Sequence, residues 1–308
     1  MTSYPTGRHR AGVIVVVDGR LALMDRVRPG SQPYSVVPGG GVEEGETFEQ
    51  AAIREAKEEL GLAVVVRSSQ PTFVLQMGDH EQHYFLADAV GGTFGTGTGR
   101  EMVAPLPEKG TYAVVLVPPE EAVRRDLWPF ALSEALLCGF VTGSWPATTV
   151  ELTDPRTVSP WRVRAGAVVI DDQDRVLLHR CEDGGPFYEI PGGGVEAGET
   201  VEQAVLRELE EEAGLIGEIV RPLALIWKDG RREHYFLLRT VGRSDRIELD
   251  VEEFFVPEWV PVAALRDLPV WPKRLGWRIA EWHASGHWPD SPIELTDTIL
   301  DLDPACRW

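Results

Sequence analysis

Cysteine is scarce: Cys138, Cys181 and Cys306 are the only three in 308 residues, far apart and without a C-x-x-C pair. That spacing excludes a disulfide framework and a cysteine-built zinc site, and leads us to expect three ordinary thiols. Positive charge is short as well. With 30 Lys and Arg against 49 Asp and Glu, the net charge is −19. A nucleic-acid duplex or an anionic membrane rewards a basic face, so neither is an expected partner, whereas a small anion carried on metal ions fits. No apolar run approaches the roughly 18 residues of a membrane span. The opening MTSYPTGRHR lacks the apolar stretch of a signal peptide, which points to the cytoplasm.

What the chain does contain, it contains twice. GGGVEEGETFEQAAIREAKEELGL, from Gly39, recurs as GGGVEAGETVEQAVLRELEEEAGL, from Gly192, at an offset of 153. RAGVIVVVDGRLALMDR, from Arg10, matches RAGAVVIDDQDRVLLHR, from Arg164, and HYFL at His83 recurs at His234. GSWPATTVELTD, from Gly143, is answered by GHWPDSPIELTD, from Gly286. Offsets that drift only between blocks are what loop insertions do to a tandem duplication. Two domains are expected, residues 1–157 and 158–308, joined by PRTVSPW, a Pro-rich linker without apolar periodicity. Two tethered copies are expected to pair within the chain, leaving a monomer.

Within each copy, short β-branched runs such as GVIVVV, FVLQM and HYFLADAV are expected as strands. TFEQAAIREAKEEL and TVEQAVLRELEEEA are expected as helices. Thr47 with Gln50, and Thr200 with Gln203, would form capping boxes, and Gly61 and Gly214 stand where a left-handed C-cap is wanted. Further helices are expected near PEEAVRRDL and PVAALRDL, and near FALSEALLCGF and KRLGWRIAEWHA. The sum is an α/β protein of two tandem α/β/α sandwiches with mixed sheets.

The chemistry concentrates on the acidic helix. Residues three and four apart share a face, so Glu55, Glu58 and Glu59 crowd one stripe, as do Glu208, Glu211 and Glu212. Such repulsion has a purpose if a cation sits among the carboxylates, and Mg²⁺ or Mn²⁺ takes this kind of oxygen donor. Arg54 and Arg207 could grip a carboxylate in a two-pronged ion pair and hold the glycine loop to the helix. The glycines before each helix permit close backbone approach.

These residues resemble the Nudix box: a Gly, five residues, Glu, seven residues, then Arg-Glu-apolar-x-Glu-Glu-x-Gly-apolar. Gly40, Glu46, Arg54, Glu55, Glu58, Glu59, Gly61 and Leu62 fill it in the first copy, with Ala56 at the inner apolar place. Gly193, Glu199, Arg207, Glu208, Leu209, Glu211, Glu212, Gly214 and Leu215 fill it in the second. The resemblance implies the Nudix fold and hydrolysis of a nucleoside diphosphate linked to another moiety. By position it implies that Glu55, Glu58, Glu59 and the Gly39 carbonyl hold Mg²⁺ or Mn²⁺, as Glu208, Glu211, Glu212 and the Gly192 carbonyl do in the second copy. Glu46 and Glu199 would orient the metal cluster or the arginines. The base that takes the proton of the attacking water is a helix carboxylate or a later acid, Glu101 in the first copy and Glu252 or Glu253 in the second.

Outside the box, Arg26 and Arg180 end matching strands and are candidates for the outer phosphate. Tyr34 and Tyr188 (or Phe187) are candidates to stack on a base. The places that mark ADP-ribose or diadenosine polyphosphate substrates in the resembling family hold Met77 or Gly78 and Gly230 or Arg231, so neither marker is present. A nucleotide-type small molecule is the expected partner. Three readings stand: both copies active, one active with a structural or ligand-binding twin, or a nucleotide-metabolite sensor without turnover.

Overall fold

The computed structural model describes residues 9–29, 33–77, 80–99, 103, 110–181, 187–228, 230–244 and 255–296. Among the described residues, contacts group 9–157 as unit 1 and 158–296 as unit 2.

In unit 1, β1 (Arg10–Val17) is central. It runs parallel to β7 (His80–Gly92) and antiparallel to both β2 (Arg20–Val27) and the glycine strand β4 (Gly39–Gly41). Beyond β7 lie β5 (Leu62–Val66) and β6 (Phe73–Met77). Beyond β2 lie β3 (Tyr34–Val36), β8 (Thr111–Val117) and β9 (Leu127–Trp128). The ELTD segment, without a readable role in the sequence, is β10 (Val150–Thr153), which lies parallel on the outer edge of β6. Unit 2 repeats the plan. Its β11 (Arg162–Val169) joins the glycine strand β14 (Gly192–Gly194) and β16 (Arg231–Arg243), which carries β15 (Leu215–Lys228) and the edge strand β19 (Ile293–Thr296). A four-stranded sheet holds β12 (Arg175–Cys181), β13 (Phe187–Glu189), β17 (Phe255–Pro261) and β18 (Val270–Trp271).

Helices cover both faces, as the alternation of strand residues requires. In unit 1 the acidic helix is α1 (Phe48–Glu55), continued by a π-helical turn over Ala56–Leu60. The expected helix at PEEAVRRDL is a single turn, α2 (Pro119–Ala122), and α3 (Phe130–Thr142) follows. In unit 2 the acidic helix is α4 (Val201–Ala213), PVAALRDL forms only a 3₁₀ turn at Val262–Arg266, and α5 (Lys273–Ser285) closes the unit. Both short turns tighten to three-residue hydrogen bonds near their ends, Arg124 N–H to Glu121 and Asp267 N–H to Ala264. Ala165, Ala167 and Val169 of β11 pack on Ala204, Val205 and Leu209 of α4. Val168 faces the other way, into a core with Leu275 and Ile279 of α5.

Both capping boxes form, and Gly61 and Gly214 take φ of 76° and 62°. Cys138 is disulfide-bonded, which corrects the expectation of three ordinary thiols. Cys306 lies outside the described residues, and Cys181 is free and buried. Among the described residues no helix is long and apolar enough to cross a membrane.

The two hairpins differ by one residue. In unit 1 Asp18 and Gly19, both at positive φ, form a two-residue turn, so that Val16 pairs with Leu21. In unit 2 the matching Ile170 pairs with Val176, one residue further on. A one-residue shift turns every following side chain to the other face. Matching Arg26 with Arg180 by their place in the repeat therefore fails in space. Arg180 answers Asp25, and Arg26 answers Cys181. Tyr34 and Tyr188 separate likewise, Tyr34 answering Phe187 and Tyr188 answering Ser35.

Candidate active site

Each site is a glycine strand laid against an acidic helix and tied by two arginines. Gly40 faces Glu55 so closely that a Cβ would stand 2.0 Å from its Oε1, and a Cβ on Gly193 would stand 2.2 Å from Oε1 of Glu208. Glycine is required there because the carboxylate occupies the space of a side chain. The backbone N–H of Gly39 donates to Glu59 Oε2 at 2.7 Å, and that of Gly192 to Glu212 Oε2 at 2.7 Å.

Arg54 makes the expected two-pronged pair. Its Nε donates to Glu46 at 2.9 Å and its Nη2 to Glu46 at 3.0 Å and to the Gly41 carbonyl at 2.9 Å. Its Nη1 reaches Glu55 at 2.7 Å and Glu58 at 3.1 Å. Arg207 repeats this with Glu199 at 3.2 and 2.7 Å, the Gly194 carbonyl at 3.0 Å, Glu208 at 2.9 Å and Glu211 at 2.8 Å. One guanidinium thus clamps loop to helix in each unit.

A second arginine was not anticipated. Arg10 donates to the Gly39 carbonyl at 2.7 Å, and Arg164 to the Gly192 carbonyl at 3.0 and 2.6 Å. The repeated RAG of the two first strands was the signal that could have found them.

The electrostatics are those of acids crowded out of water. Burial raises the pKa of Glu55 and of Glu208 against the lowering pull of their arginines. Burial, and next the charge of Glu208, pushes Glu212 up to about 7. Glu46 is held below its usual range because Arg54 and the Glu43 N–H outweigh its burial. Arg54 is raised chiefly by its hydrogen bond to Glu46, and Arg207 by that to Glu199. In unit 2 His179 stands with Nδ1 3.7 Å from Glu212 Oε2, its pKa lowered by burial to about 4. Unit 1 has Met24 at that place, so the repeat gave no signal for the histidine.

The donors present, carboxylates and backbone carbonyls, are those a hard divalent cation takes. Among the described residues no three acid or histidine side chains already converge as a metal-holding group. Arg54 and Arg207 draw Glu55 and Glu58, and Glu208 and Glu211, toward themselves instead. A cation would take over charge that the arginines now balance, and the residues fit it in kind.

Of the other expected residues, Arg26 donates to the Tyr112 hydroxyl at 2.5 Å, and Tyr34 lies edge-on to Trp128. Arg180 stands 3.6 Å from Glu258, and Tyr188 pairs with it across β13. Glu101, Glu252 and Glu253 lie outside the described residues. His83 bonds Glu81 at 3.1 Å and stacks on Phe48.

The family model described as NUDIX domain matches residues 7–134 and 160–282. An RNA pyrophosphohydrolase of Gluconacetobacter diazotrophicus is 33% identical over 143 residues, covering 37% of this chain and 82% of that protein. An RNA pyrophosphohydrolase of Novosphingobium aromaticivorans is 34% identical over 143 residues, covering 39% and 89%. Among solved structures, a NUDIX hydrolase from Nitrosomonas europaea aligns with TM-score 0.36 and 22% identity, covering 42% of this chain and 92% of its own.

Proposed function

The chain belongs to the NUDIX domain family, and on that premise we propose that it hydrolyses a diphosphate linkage in a nucleoside diphosphate joined to another moiety. It is a pyrophosphohydrolase, and enzymes of this family generally use divalent metal ions. In this reading Glu55, Glu58, Glu59 and the Gly39 carbonyl hold Mg²⁺ or Mn²⁺ in unit 1, and Glu208, Glu211, Glu212 and the Gly192 carbonyl hold it in unit 2. The observation that carries the reading is the repeated clamp: Arg54 holds Glu46, Glu55, Glu58 and the Gly41 carbonyl, and Arg207 holds Glu199, Glu208, Glu211 and the Gly194 carbonyl.

When bound, the cation would neutralise the diphosphate and make a coordinated water acidic. Arg54 and Arg207 hold the glycine strand to the helix through the Gly41 and Gly194 carbonyls. Glu58 and Glu211 are the most exposed of the clamped acids, with about two-fifths of each side chain open to solvent. They are therefore free to turn from arginine to ligand. A helix carboxylate, or Glu101 and Glu252, takes the proton of the attacking water.

The substrate class follows from turnover of a panel: nucleoside triphosphates, dinucleoside polyphosphates, ADP-ribose and nucleotide sugars, each with Mg²⁺, with Mn²⁺ and with EDTA. Metal-dependent release of phosphate or pyrophosphate is expected. Binding without turnover under both metals would replace the hydrolase with a sensor. A second reading, in which only one unit turns over, draws on the dissimilar residues beside the two clamps. It predicts that one of the single changes Glu58→Gln or Glu211→Gln abolishes all activity. We also propose a cytoplasmic monomer whose units pair within the chain and bind no nucleic acid, and a stable dimer in light scattering would count against it.

A further inference from the structure

The shifted hairpin places different chemistry at one structural position of the two units. In unit 1 Arg26 pairs across the sheet with Tyr34 on one side and Tyr112 on the other. In unit 2 the answering Cys181 pairs with Phe187 and Phe255. Across these paired places the sequence reads Tyr–Arg–Tyr in unit 1 and Phe–Cys–Phe in unit 2, which lacks the two hydroxyls and the guanidinium.

Among the described residues Arg26 makes no ion pair. Its Nη2 donates to the Tyr112 hydroxyl, and its Cζ lies 4.5 Å from the Tyr112 ring centre and 5.8 Å from that of Tyr34. Its Nε is buried and meets no hydrogen-bond partner among the described residues. A buried N–H left unmade is costly, and an incoming acceptor would relieve it. Arg28 adds a second cation, 6.0 Å from the Tyr34 ring.

The position relative to the clamp is set by the strands. His179 of β12 meets Glu212, and Met24 of β2 is its structural counterpart. Arg26 lies two residues further along the same strand face, about 7 Å on. An anionic group just beyond a diphosphate held by the carboxylates would meet Arg26. Unit 2 offers the reverse, for Glu189 stands where unit 1 has Val36, 3.8 Å from Arg164.

We propose that Arg26, Tyr34 and Tyr112 form an anion subsite of unit 1 that takes a phosphate carried beyond the scissile diphosphate, and that unit 2 takes substrates whose far moiety is uncharged. The division of labour rests on the hydrolase reading above. It assigns nucleoside triphosphates or longer polyphosphates to unit 1, and compounds of the nucleotide-sugar type to unit 2.

Two measurements on the full chain test it. In calorimetry with inorganic tripolyphosphate, Arg26→Met is expected to weaken binding by about tenfold or more, the loss expected of charge-assisted hydrogen bonds. Tyr112→Phe, which keeps the ring and removes one hydroxyl, is expected to weaken it less, and unchanged binding in both variants would overturn the subsite. In the full chain with both units intact, Arg26→Met is expected to raise KM for a nucleoside triphosphate about tenfold and leave that for a nucleotide sugar, the substrate of unit 2, unchanged. Equal shifts for both substrates would overturn the division. The binding measurement needs no turnover, so loss of the hydrolase reading, seen as unaltered activity in the Glu58→Gln and Glu211→Gln double variant, is distinguishable from loss of the subsite.

Discussion

In unit 1 the acidic helix widens after Glu55 into a π turn over Ala56–Leu60, whereas in unit 2 it runs as unbroken α-helix from Val201 to Ala213. The glycine-rich loop that follows β7 accounts for the tolerance of that turn. Gly99 donates its N–H to the Glu58 carbonyl at 2.7 Å and Gly95 to that of Leu60 at 2.9 Å, satisfying groups a π turn leaves displaced. A Cβ on Gly97 would stand 2.3 Å from the Glu59 carbonyl, so only glycine lets the loop come so near. Yet the carboxylates sit alike in both units, with Gly39 and Gly192 each 2.7 Å from the last glutamate. The clamp is therefore set by the arginine and the glycine strand, and the helix hydrogen-bond pattern varies beneath it.

The largest test of this equivalence is removal of one carboxylate from each clamp. Glu58→Gln and Glu211→Gln are each expected to lower turnover in their own unit by about 10²- to 10⁴-fold. The double variant is expected to be inactive in phosphate release. If one single variant loses everything and the other nothing, the units are alike in structure and unlike in work.

Glycine replacement comes next. At Gly39 a Cβ would meet the Ala11 carbonyl at 2.3 Å, and at Gly192 the Ala165 carbonyl at 2.1 Å with φ at +148°. Backbone cannot move aside, so each change to Ala is expected to cost about 1–3 kcal/mol in chemical denaturation, Gly192 more because of its φ. Gly40→Ala meets the carboxylate of Glu55 rather than backbone and would push it from Arg54, so it is expected to cost activity more than stability. Gly41→Ala meets nothing within 4 Å and serves as the control.

Much of this was legible in the chain. The duplication, the acidic helices, their capping boxes and the two-pronged arginines all depend on residues within a few turns of one another, where local spacing determines contact. The hairpin register was not legible, because Arg26 and Arg180 sit at the same place in the repeat while Asp18–Gly19 and the longer turn of unit 2 differ by one residue. The ELTD strands were missed for another reason: four residues pair as an edge only because β6 and β15 already stand there. PEEAVRRDL and PVAALRDL have helical spacing, but each yields to the turn that leads into β9 or β18.

A pH series separates the units where their chemistry diverges. Glu212 holds its proton more tightly folded, at about 7, than its ordinary 4.5. Its contribution is therefore full below about 4.5 and lost as pH rises toward 7. His179 is depressed from 6.5 to about 4, so its contribution is full above about 6.5 and lost as pH falls toward 4. Between these limits the two slopes oppose, each at most about 1.4 kcal/mol per pH unit. Relative to the parent chain, His179→Met, which restores the residue of unit 1, should gain stability as pH falls from 6.5. Glu212→Gln should gain as pH rises from 4.5. Parallel profiles for parent and variants would show that burial does not load these two groups as described.

The smallest effect should fall where the units agree. Thr47 and Thr200 each accept the backbone N–H three residues on, at 3.2 Å, and each is answered by a glutamine side chain, at 2.9 and 2.8 Å. Replacing either by Ala is expected to cost about 1 kcal/mol. The cap lies two turns before the π segment, beyond the reach of the widened hydrogen bonds, so the two costs should match. A cost at Thr47 well below that at Thr200, read from hydrogen exchange in the first turn of each helix, would mean that the π turn loosens α1 along its whole length. The clamp of unit 1 would then rest on Arg54 and the glycine strand alone.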